Sequence, residues 1–258
     1  MTTSPSRRAW LRAGLTTTLG LTAGACDKLT QSPAVNRALD GAETLNRRLH
    51  GLLVGKTALA REYESKDISP DFKANGTTDP DNDEYKAHVA NNFADWRLQI
   101  GGLVEHPLSL SLADLHQAPS RSQITRHDCV EGWSSIAQWR GARLGPLLER
   151  VKLKPSARYI AFFCADALEL TLDGTGDYYE TIAIADAFHP QTILAYEMNG
   201  APLPVAHGAP IRLRLERQLG YKMAKYVMRI EAIDSFEKLG RGKGGYWEDR
   251  GYQWYAGI

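Results

Sequence analysis

The sequence lacks an excess of charge of either sign, since 31 Lys and Arg residues stand against 30 Asp and Glu residues in a chain of 258. A protein whose main partner is nucleic acid or an anionic membrane usually carries a strong basic excess, so this balance argues against both classes. Cysteine is scarce as well, with three in the chain and no CxxC pair or repeated spacing. That scarcity argues against a disulfide framework and against a cysteine-based zinc site.

Other common signatures are missing too. No strand–GxGxxG–helix unit occurs, so a dinucleotide-binding Rossmann domain is not predicted. No CxxCH segment occurs, so a covalently attached haem is not predicted. Internal repeats and low-complexity tracts are also absent, which leaves an ordinary globular protein.

The first 26 residues have the layout of an export signal. Arg7-Arg8 precedes an aromatic residue, a leucine and a mildly apolar run over residues 13–25. This run is shorter than the roughly 20 apolar residues that a membrane-spanning helix needs. The paired arginines resemble a twin-arginine (Tat) signal, and the alternative is a disordered basic start followed by a short helix. Because the Tat route carries folded proteins, often with a cofactor, we expect a periplasmic cofactor enzyme.

The end of this segment allows a second interpretation. Ala23-Gly24-Ala25-Cys26 loosely resembles a lipoprotein cleavage box, although the usual aliphatic residue three places before the cysteine is missing. Lipid anchoring through Cys26 and plain cleavage nearby are therefore the two alternatives.

Spacing of apolar residues divides the remaining chain into three parts. Residues 27–89 are predicted to hold a helix over 33–54 and an exposed polar loop over 64–84. Residues 90–236 mix short alternating segments with a few helices, which predicts a single α+β domain. Residues 237–258 are rich in glycine and aromatic residues, which predicts an extended arm that docks by its rings.

Individual elements of the domain follow from alternation or helical spacing. Strands are predicted at residues 96–100, 108–110, 123–126, 159–164, 168–172, 211–215 and 226–230. Helices are predicted at residues 111–115, with Ser111 as the N-cap, and at 144–151. Residues 182–188 are short and apolar, and their type stays open.

Cys129 lies where a predicted strand ends, a position that favours functional side chains. The neighbouring Arg126 and His127 are expected to lower the pKa of its thiol and favour the thiolate. The residues alone leave three explanations: a buried inert cysteine, a disulfide with Cys164, or a nucleophile or metal ligand.

Three blocks of sequence resemble the sulfite oxidase family of molybdopterin enzymes. The segment from Cys129 to Ser134, with Trp139-Arg140-Gly141 after it, is similar to the family's cysteine loop and the Trp-x-Gly turn before a helix. The segment from His207 to Lys225 is similar to its (Asn/His)-Gly-x-Pro-x-Arg and Gly-Tyr-Lys-x-x-Lys motifs, and Asn91-Asn92-Phe93 is a weaker third match. The blocks follow the family's order over about residues 90–235, closest to the branch of the periplasmic protein-methionine-sulfoxide reductase.

The resemblance implies a molybdenum–molybdopterin (Mo-MPT) cofactor with Cys129 as the metal ligand, and a soft thiolate suits such a metal. It implies the following cofactor contacts: Asn91, Asp95, Cys164, His207, Arg212, Met223, Ala224 and Lys225. Arg212 and Lys225 would be donors to the cofactor phosphate, and Cys164 stands where the family has a threonine. Without the resemblance, Arg212 and Lys225 fit solvated strand faces, His207 fits a turn, and Asn91 fits a helix cap or turn.

Departures from the family pattern bear on the substrate. Sulfite oxidases bind their anion among several arginines, whereas the first arginine after Cys129 is Arg140, and Glu131 would repel an oxyanion. This favours two-electron reduction of a neutral S-oxide in a pocket shaped by Glu131 and Trp133. The alternatives are a sulfite-oxidising enzyme and a binding module without catalysis. The chain is expected to lack the immunoglobulin-like dimerisation domain and to take electrons from a separate partner, a membrane haem protein in the reductase branch.

Overall fold

The computed structural model describes residues 58–258 continuously and, before them, only positions 32, 34–35, 41–42, 45 and 55. The predicted Tat signal and the lipid anchor at Cys26 lie outside the described residues. Within the helix predicted over 33–54, the described positions 34, 35, 41, 42 and 45 are helical, and the rest lies outside the description. Residues Lys56–Ile258 form one compact unit.

This unit contains ten strands and four α-helices among its described residues. The strands are β1 (Arg97–Gly102), β2 (Leu108–Ser111), β3 (Ser120–Asp128), β4 (Ser134–Arg143), β5 (Tyr159–Ala167), β6 (Asp177–Ala183), β7 (Ile193–Met198), β8 (Ala201–Pro202), β9 (Arg212–Arg214) and β10 (Val227–Ile233). The helices are α1 (Asp83–Ala90), α2 (Leu112–Gln117), α3 (Leu144–Val151) and α4 (Ile184–Ala187). Short 3-10 turns occur at Ser65–Asp67, Val205–His207, Gly220–Lys222 and Glu248–Arg250.

The strands form two five-stranded sheets. One sheet has the order β2-β1-β10-β5-β6, and the other has the order β3-β4-β7-β8 with β9 also paired to β7. All pairs are antiparallel except β1 with β10, which run parallel. Mixed sheets with few helices confirm the predicted α+β class.

Apolar side chains at the expected periods build the main core. Leu98 and Ile100 alternate with exposed residues on β1, and Leu144, Leu147 and Val151 recur at helical spacing on α3. These five side chains are at most 1% exposed and belong to one cluster. Full burial of each such side chain contributes roughly 1.5–3 kcal/mol, so this cluster supplies much of the free energy that holds the sheets in place.

Most of the predicted elements are confirmed. The strands at 96–100, 108–110, 123–126, 159–164, 211–215 and 226–230 correspond to β1, β2, β3, β5, β9 and β10, and the helix at 144–151 is α3. Ser111 is the N-cap of α2, because its side chain accepts from the backbone of Asp114 while the Asp114 carboxylate accepts from Ser111. The sequence did not decide the structure of segment 182–188. In the structure it contains the end of β6 and the helix α4.

The strand predicted at 168–172 was wrong. These residues form the connection from β5 to β6, where Leu170 and Leu172 are fully exposed. A local turn competes with the alternating pattern, since the Asp173 carboxylate accepts from the backbone and hydroxyl of Thr175. Alternation without a neighbouring strand therefore does not produce a strand here.

The turn implied at Trp139-Arg140-Gly141 was also wrong. These residues continue β4, and α3 follows directly from Leu144. The pairing of β4 with β7 shifts register between Arg140 and Gly141. A Cβ added at Gly141 would lie 2.2 Å from the backbone oxygen of Leu194, so the glycine permits a close approach of two strands.

The polar segment before α1 is a loop as predicted, but it is not wholly exposed. Phe72 is 9% exposed and packs edge-on against Trp139 with 5.4 Å between ring centroids. The aromatic arm packs through its rings, since Trp254 stacks on Phe236 with 5.8 Å between ring centroids. Among the residues that the structure describes, no helix combines the length and apolarity needed to cross a membrane.

Candidate active site

A cavity of about 510 Å³ opens where the polar loop, the strand ends and the aromatic arm meet. This volume lies within the range of pockets that bind small molecules and cofactors. Its walls come from the following residues: Phe72, Lys73, Asn75, Gly76, Thr77, His127, Cys129, Val130, Glu131, Asp166, Leu168, Glu169, Tyr178, His207, Arg212, Gly220, Tyr221, Met223, Lys225, Tyr246, Trp247 and Tyr252. Six residues predicted from the sequence are therefore brought together: Cys129, Glu131, His207, Arg212, Met223 and Lys225.

Cys129 is fixed by a tight turn just after β3. Its backbone N–H donates to Trp133 over 2.9 Å, and Gly132 donates back to the Cys129 carbonyl over 3.0 Å. The side chain is 7% exposed, and its Sγ accepts a hydrogen bond from Asn75 Nδ2 at 3.1 Å. The turn thus presents the sulfur to the cavity on a rigid support.

The expectation that Arg126 and His127 favour the thiolate was wrong. Arg126 turns away and pairs with Asp128 at 2.9 Å. Burial, and then Arg214, lower the pKa of His127 well below its usual value, so its ring is neutral. Burial also raises the pKa of the Cys129 thiol, so the metal-free chain holds a thiol that a bound metal would have to deprotonate.

The disulfide alternative is excluded by the structure. Cys129 and Cys164 are both free thiols. Cys164 lies on β5 opposite Val227 and packs against the main core outside the walls of the cavity. A free Cys129 that faces a cavity remains available as a metal ligand.

Two cationic side chains face the cavity, the buried Arg212 and the half-buried Lys225. Arg212 begins β9 and is 4% exposed, with its guanidinium carbon 5.1 Å from the Trp139 ring centroid. Burial, and then Arg214, lower its pKa to about 9. Burial, and then Arg212, likewise lower the pKa of Lys225 to about 7. Burial of these positive charges costs desolvation free energy, which a bound anion would offset. The alternative that Arg212 lies on a solvated strand face is wrong, because its side chain is buried.

The Lys225 ammonium is met by backbone oxygens. It donates to the Thr77 carbonyl and, over 3.1 Å, to the Ala206 carbonyl. Arg212 Nη1 donates to the His207 carbonyl over 3.1 Å. These neutral acceptors hold the two side chains in place, and the carboxylate of Asp166 is the acidic group that acts on Lys225 at this end of the cavity.

His207 and Met223 line the same end. His207 ends a 3-10 turn, which fits the turn interpretation, and its ring also faces Phe72 at 5.6 Å. Burial, and then Arg212, lower the pKa of His207 to about 4, so its ring is neutral near pH 7. Ala224 is fully buried beside them but does not contribute to the cavity wall.

The structure does not bring Asn91 and Asp95 to the cavity. Asn91 is the C-cap of α1, as the cap interpretation predicts, and its side-chain amide donates to Asp95 over 2.7 Å. The Asp95 carboxylate also contacts His88 at 2.8 Å. Asn91 and Asp95 are exposed, so they form a local network at the end of α1.

Sequence reasoning missed three contributions to the site. The loop over 72–77 forms one wall, and Tyr246, Trp247 and Tyr252 of the arm form part of the rim. Asp166 is the third, at the end of β5, and burial raises its pKa to about 6. The only signal for Asp166 was a charged residue at the end of an apolar strand run, a pattern that many surface strands share.

Two unpartnered atoms test whether the cavity fits a phosphate-bearing pterin. Arg212 Nε and Asp166 Oδ1 are buried without a hydrogen-bond partner in the protein, and both residues line the cavity. Buried polar atoms are normally paired, so each calls for a partner from a ligand. The arginine fits an anionic group such as phosphate, and the carboxylate fits N–H donors such as those of a pterin ring. The residues present therefore fit the group.

A pocket of several arginines does not form at Cys129. The candidate Arg126 is paired to Asp128, and Arg140 faces Glu197 at 3.7 Å outside the cavity. Glu131 does line the cavity, but Lys73 lies 3.2 Å away and balances its charge. Trp133 donates to the same carboxylate over 3.0 Å. Near the sulfur the cavity is therefore close to neutral.

Comparison with known proteins agrees with this geometry. The model of the family described as oxidoreductase molybdopterin binding domain matches residues 86–238, more than half of the chain. A protein of Azospira oryzae whose name assigns it to the protein-methionine-sulfoxide reductases as subunit YedZ1 is 36% identical over 254 residues, which cover 98% of this chain and 88% of the relative.

Two catalytic subunits of protein-methionine-sulfoxide reductase, both named MsrP, match a smaller part. The subunit of Xanthomonas axonopodis pv. citri is 36% identical over 59% of this chain and 49% of its own length. That of Ralstonia nicotianae is 37% identical over 54% of this chain and 44% of its own length. The chain thus spans about half the length of these two relatives.

Among solved structures, the sulfane dehydrogenase SoxCD of Paracoccus pantotrophus superposes with a TM-score of 0.48 and 24% identity, over 55% of this chain and 39% of that chain.

Among the described residues, no group of three or more His, Cys, Asp or Glu side chains is placed to hold a metal ion. From the extent of the family match, the chain belongs to the sulfite oxidase family of oxidoreductases with a molybdopterin-binding domain.

Proposed function

We propose that this molybdopterin oxidoreductase reduces an S-oxide by two electrons, with Cys129 as the protein ligand to molybdenum. The observation that carries the proposal is one cavity that is lined by Cys129 and by two cationic side chains, Arg212 and Lys225. The names of the relatives supply the substrate class, a methionine sulfoxide within a protein.

The residues of the cavity have separate roles in binding the cofactor. When bound, Mo-MPT supplies two-electron redox chemistry and oxygen-atom transfer. Arg212 and Lys225 hold its phosphate through charge-assisted hydrogen bonds, and Asp166 accepts from N–H groups of its pterin ring. His207 and Met223 complete the wall at the phosphate end. The contacts predicted for Asn91, Asp95, Cys164 and Ala224 remain predictions from the resemblance.

The other end of the cavity suits a neutral, weakly polar substrate. Glu131 and Lys73 cancel each other's charge beside Cys129, and Tyr246, Trp247 and Tyr252 of the arm also line the cavity. Aromatic rings make favourable contacts with the sulfur-bearing side chain of methionine. Because no cluster of arginines converges on Cys129, oxidation of sulfite is the weaker alternative, and a non-catalytic binding module is the other.

The location and the electron partner belong to the same proposal. The paired arginines Arg7 and Arg8 support Tat export to the periplasm, and Cys26 allows a lipid anchor there. The sequence carries no haem-attachment motif, so electrons would come from a separate partner, and a membrane haem protein fits that role.

The first test is the molybdenum and pterin content of protein purified after export, measured beside a Cys129→Ser variant. We expect about one molybdenum per chain and an altered metal signal in the variant. Turnover is then compared for protein-bound methionine sulfoxide with a reduced dye and for sulfite with an oxidised dye. Absence of molybdenum in the mature protein would favour the binding module, and faster turnover of sulfite would favour the alternative enzyme.

A further inference from the structure

We propose that Asn75 is a positioning residue that tunes the metal centre through a hydrogen bond from its side-chain amide to the Cys129 sulfur. The inference rests on the proposed function in one respect, which is that Cys129 is the metal ligand. It adds a residue from the polar loop, outside the segments that carry the family resemblance.

The contact itself is short and directional. Asn75 Nδ2 lies 3.1 Å from Cys129 Sγ, with the amide as donor and the sulfur as acceptor. The backbone N–H groups of Val130 and Glu131 also face the sulfur from within the cysteine turn. Asn75 differs from these two donors because it reaches the sulfur from a loop 54 residues earlier in the chain.

Contacts on both sides of Asn75 hold its loop in place. On the N-terminal side, Phe72 is buried against Trp139, and Lys73 pairs with Glu131 at 3.2 Å. On the C-terminal side, the Thr77 carbonyl accepts from Tyr226 over 2.8 Å. A donor that is held by its surroundings acts on a ligand more strongly than one on a mobile chain, because its orientation is already fixed.

The physical effect of the bond follows from charge. The amide N–H points the positive end of its dipole at the sulfur, and this stabilises negative charge on a thiolate. Reduction of a metal adds electron density to its ligands, so the bond stabilises the reduced state more than the oxidised state. Hydrogen bonds to ligand sulfurs tune potentials at iron–sulfur and copper sites in the same sense. Loss of the donor is therefore expected to lower the reduction potential.

The test is a redox titration of the exported holoprotein, followed by the electron paramagnetic resonance signal of Mo(V), together with molybdenum content. Asn75→Leu removes the donor at similar size, and Asn75→Asp replaces it with a carboxylate. We expect the potential to fall in the order wild type, Asn75→Leu, Asn75→Asp, while molybdenum is retained. The matched control is Asn82→Ala, which removes the N-cap bond to Tyr85 on α1 and should loosen the structure without shifting the potential.

Three outcomes would overturn the inference. The first is an unchanged potential in both Asn75 variants. The second is an equal shift in Asn82→Ala, since the effect would then reflect general loosening. The third is loss of molybdenum from both Asn75 variants but not from Asn82→Ala, since Asn75 would then hold the loop and not tune the metal. If Cys129→Ser leaves the Mo(V) signal unchanged, the ligand assignment fails first, which separates the two proposals.

Discussion

The ammonium of Lys222 lies 2.5 Å from the carboxylate of Glu248 in the aromatic arm, and it also donates to Glu180 on β6. All three side chains are at most 1% exposed. Burial, and then the charge of Glu248, raise the pKa of Glu180 well above its usual range. One buried cation therefore joins the arm to the sheet beside the cavity.

Lys222→Met is expected to destabilise the protein by about 3–5 kcal/mol, because it leaves two carboxylates buried without their cation. The measurement is the free energy of unfolding in urea. Lys238→Met serves as the control, since Lys238 is exposed and its loss should change stability by no more than about 0.5 kcal/mol. Equal stability of both variants would show that the buried ions contribute no net stabilisation.

Gly141→Ala is expected to cost about 3 kcal/mol or more, because its methyl group would overlap the Leu194 carbonyl and push β4 from β7. Gly101→Ala on β1 is the matched control, as no atom lies within 4 Å of an added Cβ there. The two variants are compared by thermal unfolding. Similar melting temperatures would contradict the close approach of β4 and β7.

Arg212→Met is expected to reduce cofactor loading at least about tenfold, since a charge-assisted pair with phosphate is lost. The cofactor-free variant should be as stable as the wild type or more so, because a buried cation without a carboxylate partner has been removed. Molybdenum content measures the first effect and urea unfolding the second. Inorganic phosphate should raise the melting temperature of the cofactor-free wild type more than that of the variant. Full loading of the variant would place the phosphate elsewhere.

Asp166 predicts a pH dependence of stability in the cofactor-free protein. Its pKa of about 6 when folded exceeds the ordinary aspartate value of 3.8, so the folded state binds the proton more tightly. The unfolded state loses the proton first as the pH rises, and stability therefore falls by roughly 3 kcal/mol between about pH 4 and pH 6.

Asp166→Asn removes this titration. We expect the variant to be more stable than the wild type at pH 7 but not at pH 4, as measured by urea unfolding of the cofactor-free protein. Cofactor loading should fall in the same variant, because an acceptor for the pterin ring is weakened. A stability difference that does not change with pH would count against Asp166 as a buried carboxylate with one unpartnered oxygen.

The sequence predicted most elements whose signal is local. Apolar spacing marked α3 and most of the strands, and the Ser111–Asp114 pair marked the start of α2. The strand at 168–172 could not be rejected on pattern alone, because a strand also needs a neighbour and the Asp173 turn offers none. The close approach at Gly141 depends on Leu194 in another strand, and that distance is not encoded locally.

The site was predicted where motifs carry the chemistry and missed where tertiary contacts do. Cys129, Arg212 and Lys225 lie in recognisable segments, and the structure places them around one cavity. Asn75 and Asp166 belong to a polar loop and an ordinary strand end, and only the packing brings them there. The thiol pKa was misjudged because the burial that raises it comes from tertiary packing, and because Arg126 pairs with Asp128.

The arm that completes the rim has a consequence for the order of assembly. Tyr246, Trp247 and Tyr252 follow every other wall residue in the chain, so a ribosome adds them last. A nascent chain that has been synthesised as far as β10 can already pair its sheets. Its cavity still lacks the wall that the arm provides, which the ion pair between Glu248 and Lys222 holds in place. Loading of the cofactor would then wait for the finished polypeptide, and a stalled or clipped product would present an open groove in place of a closed pocket.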